Sequence, residues 1–434
     1  MKRKLSRQIL NERRTNSWLV IELLIISVVV WYLVNAFMIP TRIQHMPNGY
    51  DMSETVQLTY RSFPDKMKAL PEDSAGRVNT RLGHLAALIN NIKSRPGVEE
   101  IAVGARIMPF NYNAYNTVLR DPVNTDSAIS SGLNIRFGTP ETPRVMKLQP
   151  LAGAETVDDL VRILENGQLI ISRSVGRNLA GLDKDDWYGD GLKGAVQFIG
   201  KEVFLSGKLY TVGAVIEDLR RGEYEPAYSG TGIMPVQMNS AQALDQQDII
   251  VRVRPGMVDD FVNDFKEHGA EFYRTDLYYV TECKPLDEIK AAHHLQNTIE
   301  KRNNAIIIIF LLVTIFLGLL GTFWFRTNQR ISEIAIRMSA GARRSDIFRR
   351  LISEGLLMLV VASVPAAVID WYLFAKVDDG WPYYNSLFAG GSWGHLALCF
   401  GISFLLMAVM VVVGIAFPAR RAMLIDPAMA LHAE

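Results

Sequence analysis

The stretch "AIIIIFLLVTIFLGLLGTFWFRTNQRISEIAIRMSAGARRSDIFRRLISE", Ala305–Glu354, decides how the chain is organised. Its first part, Ala305–Phe325, is uncharged and apolar almost throughout. That is about the 20 residues a helix needs to cross the hydrocarbon of a bilayer. Its second part carries Arg326, Arg330, Arg337, Arg343, Arg344, Arg349 and Arg350. An apolar helix that runs straight into an arginine-rich loop marks a membrane protein whose loop is held on one side.

Three more segments are apolar over a similar length, and the expected spans are 18–39, 304–326, 351–374 and 395–417. The hydrophobic content is 49% and the formal net charge is +1, values of an ordinary protein. It is the clustering, not the total, that gives the class. The expected fold is a membrane protein of four transmembrane α-helices, one and then three. A large α+β domain, residues 40–303, lies between the first and second.

The first span follows Lys2, Arg3, Lys4, Arg7, Arg13 and Arg14, a basic start of the kind that a signal peptide also has. It is too long for the usual signal core, however, and Met38-Ile39-Pro40-Thr41 is no small-residue cleavage site. It reads as a retained anchor. The loop between the third and fourth spans offers only Lys376, while Arg420 and Arg421 come after the fourth. Basic residues mark the cytoplasmic side. The asymmetry therefore puts the N-terminal segment 1–17, the loop 327–350 and the tail 418–434 in the cytoplasm, and 40–303 outside it.

Within 40–303 a strand–helix–strand pattern occurs twice. Residues 54–107 contain a strand over Glu54–Tyr60, a helix over Asn79–Ser94 and a strand over Val98–Ile107. The helix has Leu82, Leu85, Ala86 and Ile89 at i, i+3, i+4 and i+7. Residues 248–282 repeat it, with strands over Asp248–Arg254 and Glu271–Thr281 around a helix over Pro255–His268. Two such units make a split βαβ layer of ferredoxin type, with 108–247 as an inserted subdomain. Two consecutive α+β domains are the alternative. In the insert, Val157–Glu165 reads as a helix, and Gly207-Lys208 as a hairpin turn. Residues 285–303 read as a helical stalk running into the second span. Cys283 falls in the external domain and Cys399 within a membrane span in this layout, so no disulfide is expected.

Catalytic signatures do not survive their context. Gly189-Asp190-Gly191-Leu192-Lys193-Gly194 has dinucleotide spacing but comes after "DKDDWY" and not an apolar strand. Gly194 to Gly200-Lys201 is one residue too long for a Walker loop and continues into Glu202. His293-His294 are adjacent, so on a helix they point about 100° apart. The sequence thus offers no catalytic residues, no metal set and no nucleic-acid signature. Three carboxylates lie in the spans: Glu22, Glu354 and Asp370. Acids in lipid are costly and mark function by default. The simpler reading sends them to the interface or to partners on neighbouring helices, with a proton relay at Asp370 as the alternative.

In the arginine loop, Ile331, Ile334, Ala335 and Met338 form an apolar stripe at helical spacing. Glu333 and Arg337 form a favourable i,i+4 pair on another face. Gly341 suits a left-handed helix end, and Ser345 suits the cap of the next helix. A short helix on the membrane surface is the result. It is either a lipid anchor or a docking element for a cytoplasmic partner.

The stretch "EIAIRMSAGARRSDIFRRLISEG" resembles the signature of FtsX-like and MacB-type permeases of bacterial ABC transporters. Glu333, Ile334, Ile336, Arg337, Gly341, Ala342, Asp346, Ile347 and Glu354 match that pattern, while Ala335 replaces its usual glycine. The tail "PARRAMLIDPAMALHAE" is similar to the family's ending at Pro418, Ala419, Ala422, Pro427, Ala430, Leu431 and Glu434. "AVQFIGKEVFLSGKLYTVGAVIED" looks like a segment of its external domain.

The resemblance implies a permease of the bacterial inner (plasma) membrane, with both termini in the cytoplasm, working as a dimer with a second copy or a paralogue. An ABC ATP-binding subunit would dock on Ile331, Glu333, Ile334, Arg337, Met338, Gly341, Ala342, Arg343 and Asp346. ATP and Mg would sit on that separate partner, with no cofactor in this chain. ATP-driven closure would move the external domain by mechanotransmission, for export or efflux, in some relatives with a membrane-fusion protein. A regulator of an external cell-wall hydrolase or a lipoprotein-release permease is the alternative.

Overall fold

The computed structural model describes residues 13–71, 73–108, 110, 115–124, 126, 128–178, 191–220, 222, 230–238, 240–245, 248–377 and 392–422. The chain divides into two compact units, residues 43–298 and residues 1–42 with 299–434. The first described element is helix α1 (Arg13–Gln44).

The unit 43–298 is built on β-strands joined by hydrogen bonds. In chain order these are β1 (Thr55–Ser62), β2 (Val98–Ala105), β3 (Tyr115–Arg120), β4 (Ala128–Gly138), β5 (Pro150–Ala152) and β6 (Leu169–Ser172). They continue with β7 (Glu202–Leu205), β8 (Lys208–Ile216), β9 (Thr231–Pro235), β10 (Asp248–Val253) and β11 (Tyr278–Pro285). Helices α2 (Ser74–Lys93), α3 (Val157–Glu165) and α4 (Val258–His268) lie among them.

Strands β11, β1, β10 and β2 lie side by side in that order, all antiparallel. Strand alternation assigns the faces. Ile249 and Val251 of β10 pack with Leu85, Leu88 and Ile92 of α2 and Phe261 of α4, whereas Ile250 joins the core on the other side. The strand expected over Glu271–Thr281 starts later, at Tyr278. A tight turn, in which Thr275 N–H donates to the Tyr278 carbonyl, interrupts it. Upstream of that turn, Tyr273 is drawn into the core edge-on to Phe261 and Phe265. Pro285, expected to open the stalk, instead ends β11.

The inserted strands close into a ring. Each neighbouring pair in the cycle β4, β3, β7, β8, β6, β9 and back to β4 is hydrogen-bonded. The pairs β4–β9 and β6–β8 are parallel and the others antiparallel. Leu119, Leu133, Ile135, Leu169, Val203 and Val212 fill the interior. The β7–β8 turn is Ser206-Gly207, not Gly207-Lys208: both have positive φ, 49° and 85°, as a two-residue primed hairpin turn requires. Lys208 already pairs with Leu205.

Helix α5 (Leu286–Gln329) is continuous, and the boundary between the units falls within it. Then come α6 (Ile331–Ser339), α7 (Arg344–Val377) and α8 (Ser392–Ala422). Among the described residues, four helices are long and apolar enough to cross a membrane: α1, α5, α7 and α8. Leu19 and Leu23 of α1 pack with Phe323 of α5, Met358 and Leu359 of α7, and Val411 of α8. Gly355 lets α7 approach α8 closely, since a side chain there would strike Ile415. Ile306, Ile309, Phe310, Val313 and Leu317 face outward from α5. Such a surface suits lipid and not water.

Candidate coupling site

The loop 327–350 is a helix, a turn and the start of another helix. Between α5 and α6, Arg330 leaves helical geometry at φ −104° and ψ 9°. Its carbonyl accepts from Ile334 N–H at 2.9 Å and so starts α6. No side chain caps α6. The Arg330 guanidinium is engaged instead with Glu354 of α7, Nη1 to Oε1 at 2.8 Å.

At its other end α6 closes with two bonds: Ala342 N–H donates to the Arg337 carbonyl and Gly341 N–H to the Met338 carbonyl. This is a Schellman ending, and it needs a left-handed residue at Gly341, where φ is +88°. The Arg343 carbonyl then accepts from Asp346 and Ile347 N–H, so α7 starts there. Ser345, expected to cap α7, lies inside its first turn and is exposed.

The apolar stripe faces inward. Ile334 is buried with Ile347 of α7 and Ala422 of α8, and Ile331 and Met338 pack beside them. Ala335 is buried as well. The stripe therefore fastens α6 to its own bundle and does not form the outward docking surface expected of it. The reason is energetic: burying two or three such side chains in a ready-made apolar notch contributes about 1.5–3 kcal/mol each. The outward surface consists of Ile336, 56% exposed, with Gly341, Ala342, Arg343 and Asp346 all exposed beyond it. Glu333 and Arg337 form their ion pair on the half-exposed flank. In the sequence, Ile336 stands out as an apolar residue off the stripe and Arg330 as a cation just before it. Neither signal by itself reveals the exposed position of the one or the ion pair of the other.

The membrane carboxylates have three different surroundings. Glu354 is buried and paired with Arg330. Glu22 of α1 accepts from the Thr322 hydroxyl of α5 at 2.9 Å. Asp370 departs from both expectations. It is 1% exposed, so it does not reach the interface, and neither carboxylate oxygen has a hydrogen-bond partner among the described residues. The G-x-G-x-x-G stretch begins outside the described residues, and its Gly191 leads a short helix, Leu192–Val196. The tail motif beyond Ala422 also lies outside them.

Residues 305–427 match the FtsX-like permease C-terminal family model. The matched part is similar to FtsX-like permeases. It takes in the second to fourth membrane helices and the whole α6 turn. The pyoverdine export ATP-binding/permease protein PvdT of Pseudomonas entomophila is 31% identical over 155 residues, 34% of this chain and 21% of PvdT. The syringafactin export ATP-binding/permease protein SyfD of Pseudomonas syringae, a protein described as probable, is 25% identical over 251 residues, 53% of this chain and 34% of SyfD. The matched stretches thus span about a third or less of these curated relatives. The crystal structure of the periplasmic region of MacB from Actinobacillus actinomycetemcomitans overlaps 60% of this chain and 98% of its own, at 11% identity and a TM-score of 0.31.

Proposed function

We propose that this chain is the permease subunit of a MacB-type ABC transporter of the bacterial inner membrane. In this reading an ATP-binding subunit, carrying ATP and Mg, docks on the turn from Ile336 to Asp346. Its closing and opening are passed through the helices to the unit 43–298 outside the cytoplasm, and the cycle serves export. A second permease chain completes the complex, and a membrane-fusion protein is a further partner to test.

The observation that carries this is the build of the turn. Its apolar side is fastened to α7 and α8, its base is held by Arg330–Glu354, and its exposed tip is a rigid Schellman ending. A lipid anchor would present the apolar stripe to the bilayer and tolerate a floppy tip, since bilayer charge is diffuse. A surface held from below and shaped at its tip fits a protein partner. The continuous helix Leu286–Gln329 supports the transmission step, because a helix passes displacement along its axis.

The test is co-expression with the candidate ATP-binding subunit. Glu333→Lys adds positive charge, so lipid anchoring would hold, whereas docking loses the pair with Arg337. Gly341→Val opposes the positive φ. Both variants should lower co-purification and ATP turnover. Normal binding and turnover in both would reject the turn as the docking site.

A further inference from the structure

Three helices of the membrane unit meet around Asp370. The cleft is lined by Ser27 of α1, Ser363 and Asp370 of α7, and Phe400, Ser403, Phe404 and Met407 of α8. Asp370 is 1% exposed and Ser27 9%, and neither carboxylate oxygen, nor the Ser27 hydroxyl, has a partner among the described residues. Asp370 forms no ion pair among those residues either, and no other group lining the cleft titrates. A bare carboxylate in such a place is among the most expensive groups a membrane protein can hold.

The hydroxyls show which form of the acid fits. Ser363 donates to the Leu359 carbonyl at 2.7 Å, and Ser403 donates to the Phe400 carbonyl at 3.1 Å. Their hydrogens are committed to their own helices, so what they present to the cleft is lone pairs. A carboxylate only accepts, and it would face acceptors with few donors. A neutral carboxylic acid carries no charge that such surroundings would have to stabilise. The free space is about 10 Å³, at or below the size that takes one water. It leaves little room for a hydrated ion.

We propose that Asp370 is a proton-binding site in the α1–α7–α8 cleft, holding its proton at neutral pH. Ligand and site are charge-neutral together, which lets the acid lie in the bundle. The proton is held, not relayed: the residues lining the cleft include no second titratable group to receive it.

Infrared difference spectra of the full chain in lipid, wild type minus Asp370→Asn, test this directly, because every other carboxyl cancels. Asn is nearly isosteric and keeps a donor, so the variant should assemble. At neutral pH the difference should show the carbonyl stretch of a neutral carboxylic acid. That band should not change when sodium is replaced by choline, and Ser27→Ala or Ser403→Ala should shift it as the polarity of the cleft changes. A carboxylate stretch in its place would overturn the proposal. So would a carboxylate stretch that moves when sodium is removed, which would make the occupant a sodium ion.

Discussion

Arg330 Nη1 lies 2.8 Å from Glu354 Oε1, so the residue that opens α6 is tied to the first turns of α7. The two helices leave this pair, pack through Ile334 and Ile347, and are joined by the turn at Gly341. The pair therefore closes the base of a hairpin whose tip is the exposed Ile336–Asp346 surface. Both side chains are largely shielded, and the removal of one leaves the other charged without its partner.

Breaking this base should loosen the tip. Glu354→Ala or Arg330→Ala should cost about 3 kcal/mol, the scale for an orphaned buried charge. The thermal midpoint of the purified chain should fall in both. The exchanged pair, Arg330→Glu with Glu354→Arg, should recover part of the loss. Midpoints unchanged in the single variants would show that the contact does not hold the hairpin.

Gly341 isolates a backbone effect. No atom lies within 4 Å of where its Cβ would stand, so a substitution there meets only the cost of φ +88°. That cost is about 1–2 kcal/mol for most residues, and lower for Asn. ATP turnover with the partner subunit should rank Gly341 first, then Gly341→Asn, Gly341→Ala and Gly341→Val. Equal turnover for Asn and Val would contradict a role for the left-handed geometry.

The unit 43–298 has a pH-sensitive tie. Arg95 donates to Asp264, with Tyr273 adding a hydroxyl bond at 2.7 Å, and this holds the Asp264 carboxyl below the usual range. An acid depressed in the folded state contributes stability above its unfolded value, near about 3.9, and loses it as pH falls through the lower folded value. Asp264→Asn should therefore destabilise α4 by roughly 1.5–3 kcal/mol at pH 7. The difference from wild type should vanish in strong acid. Hydrogen exchange of the α4 amides reads both.

The arginine asymmetry predicts the orientation, which is directly measurable. A reporter fused after Lys68 or Gln246 should fall outside the cytoplasm, and one after Gly341 inside. Reporters at residues 68 and 341 on the same side would contradict the whole arrangement.

The four long helices are legible in the sequence because lipid demands an unbroken apolar run, and Ala305–Phe325 is one. The strand alternation of Ile249, Ile250 and Val251 is legible for the same kind of reason: two faces need two sets of side chains. Ring closure is not, because it rests on partners distant in sequence, such as Asn134–Gly138 beside Thr231–Pro235. At the turn, periodicity locates the stripe Ile331, Ile334, Ala335 and Met338 but not what it will face. The notch formed by Ile347 and Ala422 decides that, and it exists only after folding. The surroundings of Asp370 are hidden for a related reason: the sequence places it near a helix end, whereas packing by α1 and α8 buries it.

The most direct measurement of the docking role is site-specific photo-crosslinking in membranes that also contain the ATP-binding subunit. A photoreactive residue at Ile336 or Ala342, both exposed, should crosslink to that subunit. One at Ile334, buried against Ile347, should not. Crosslinks to lipid alone from Ile336 and Ala342, in membranes where the subunit is bound and hydrolysing ATP, would contradict it.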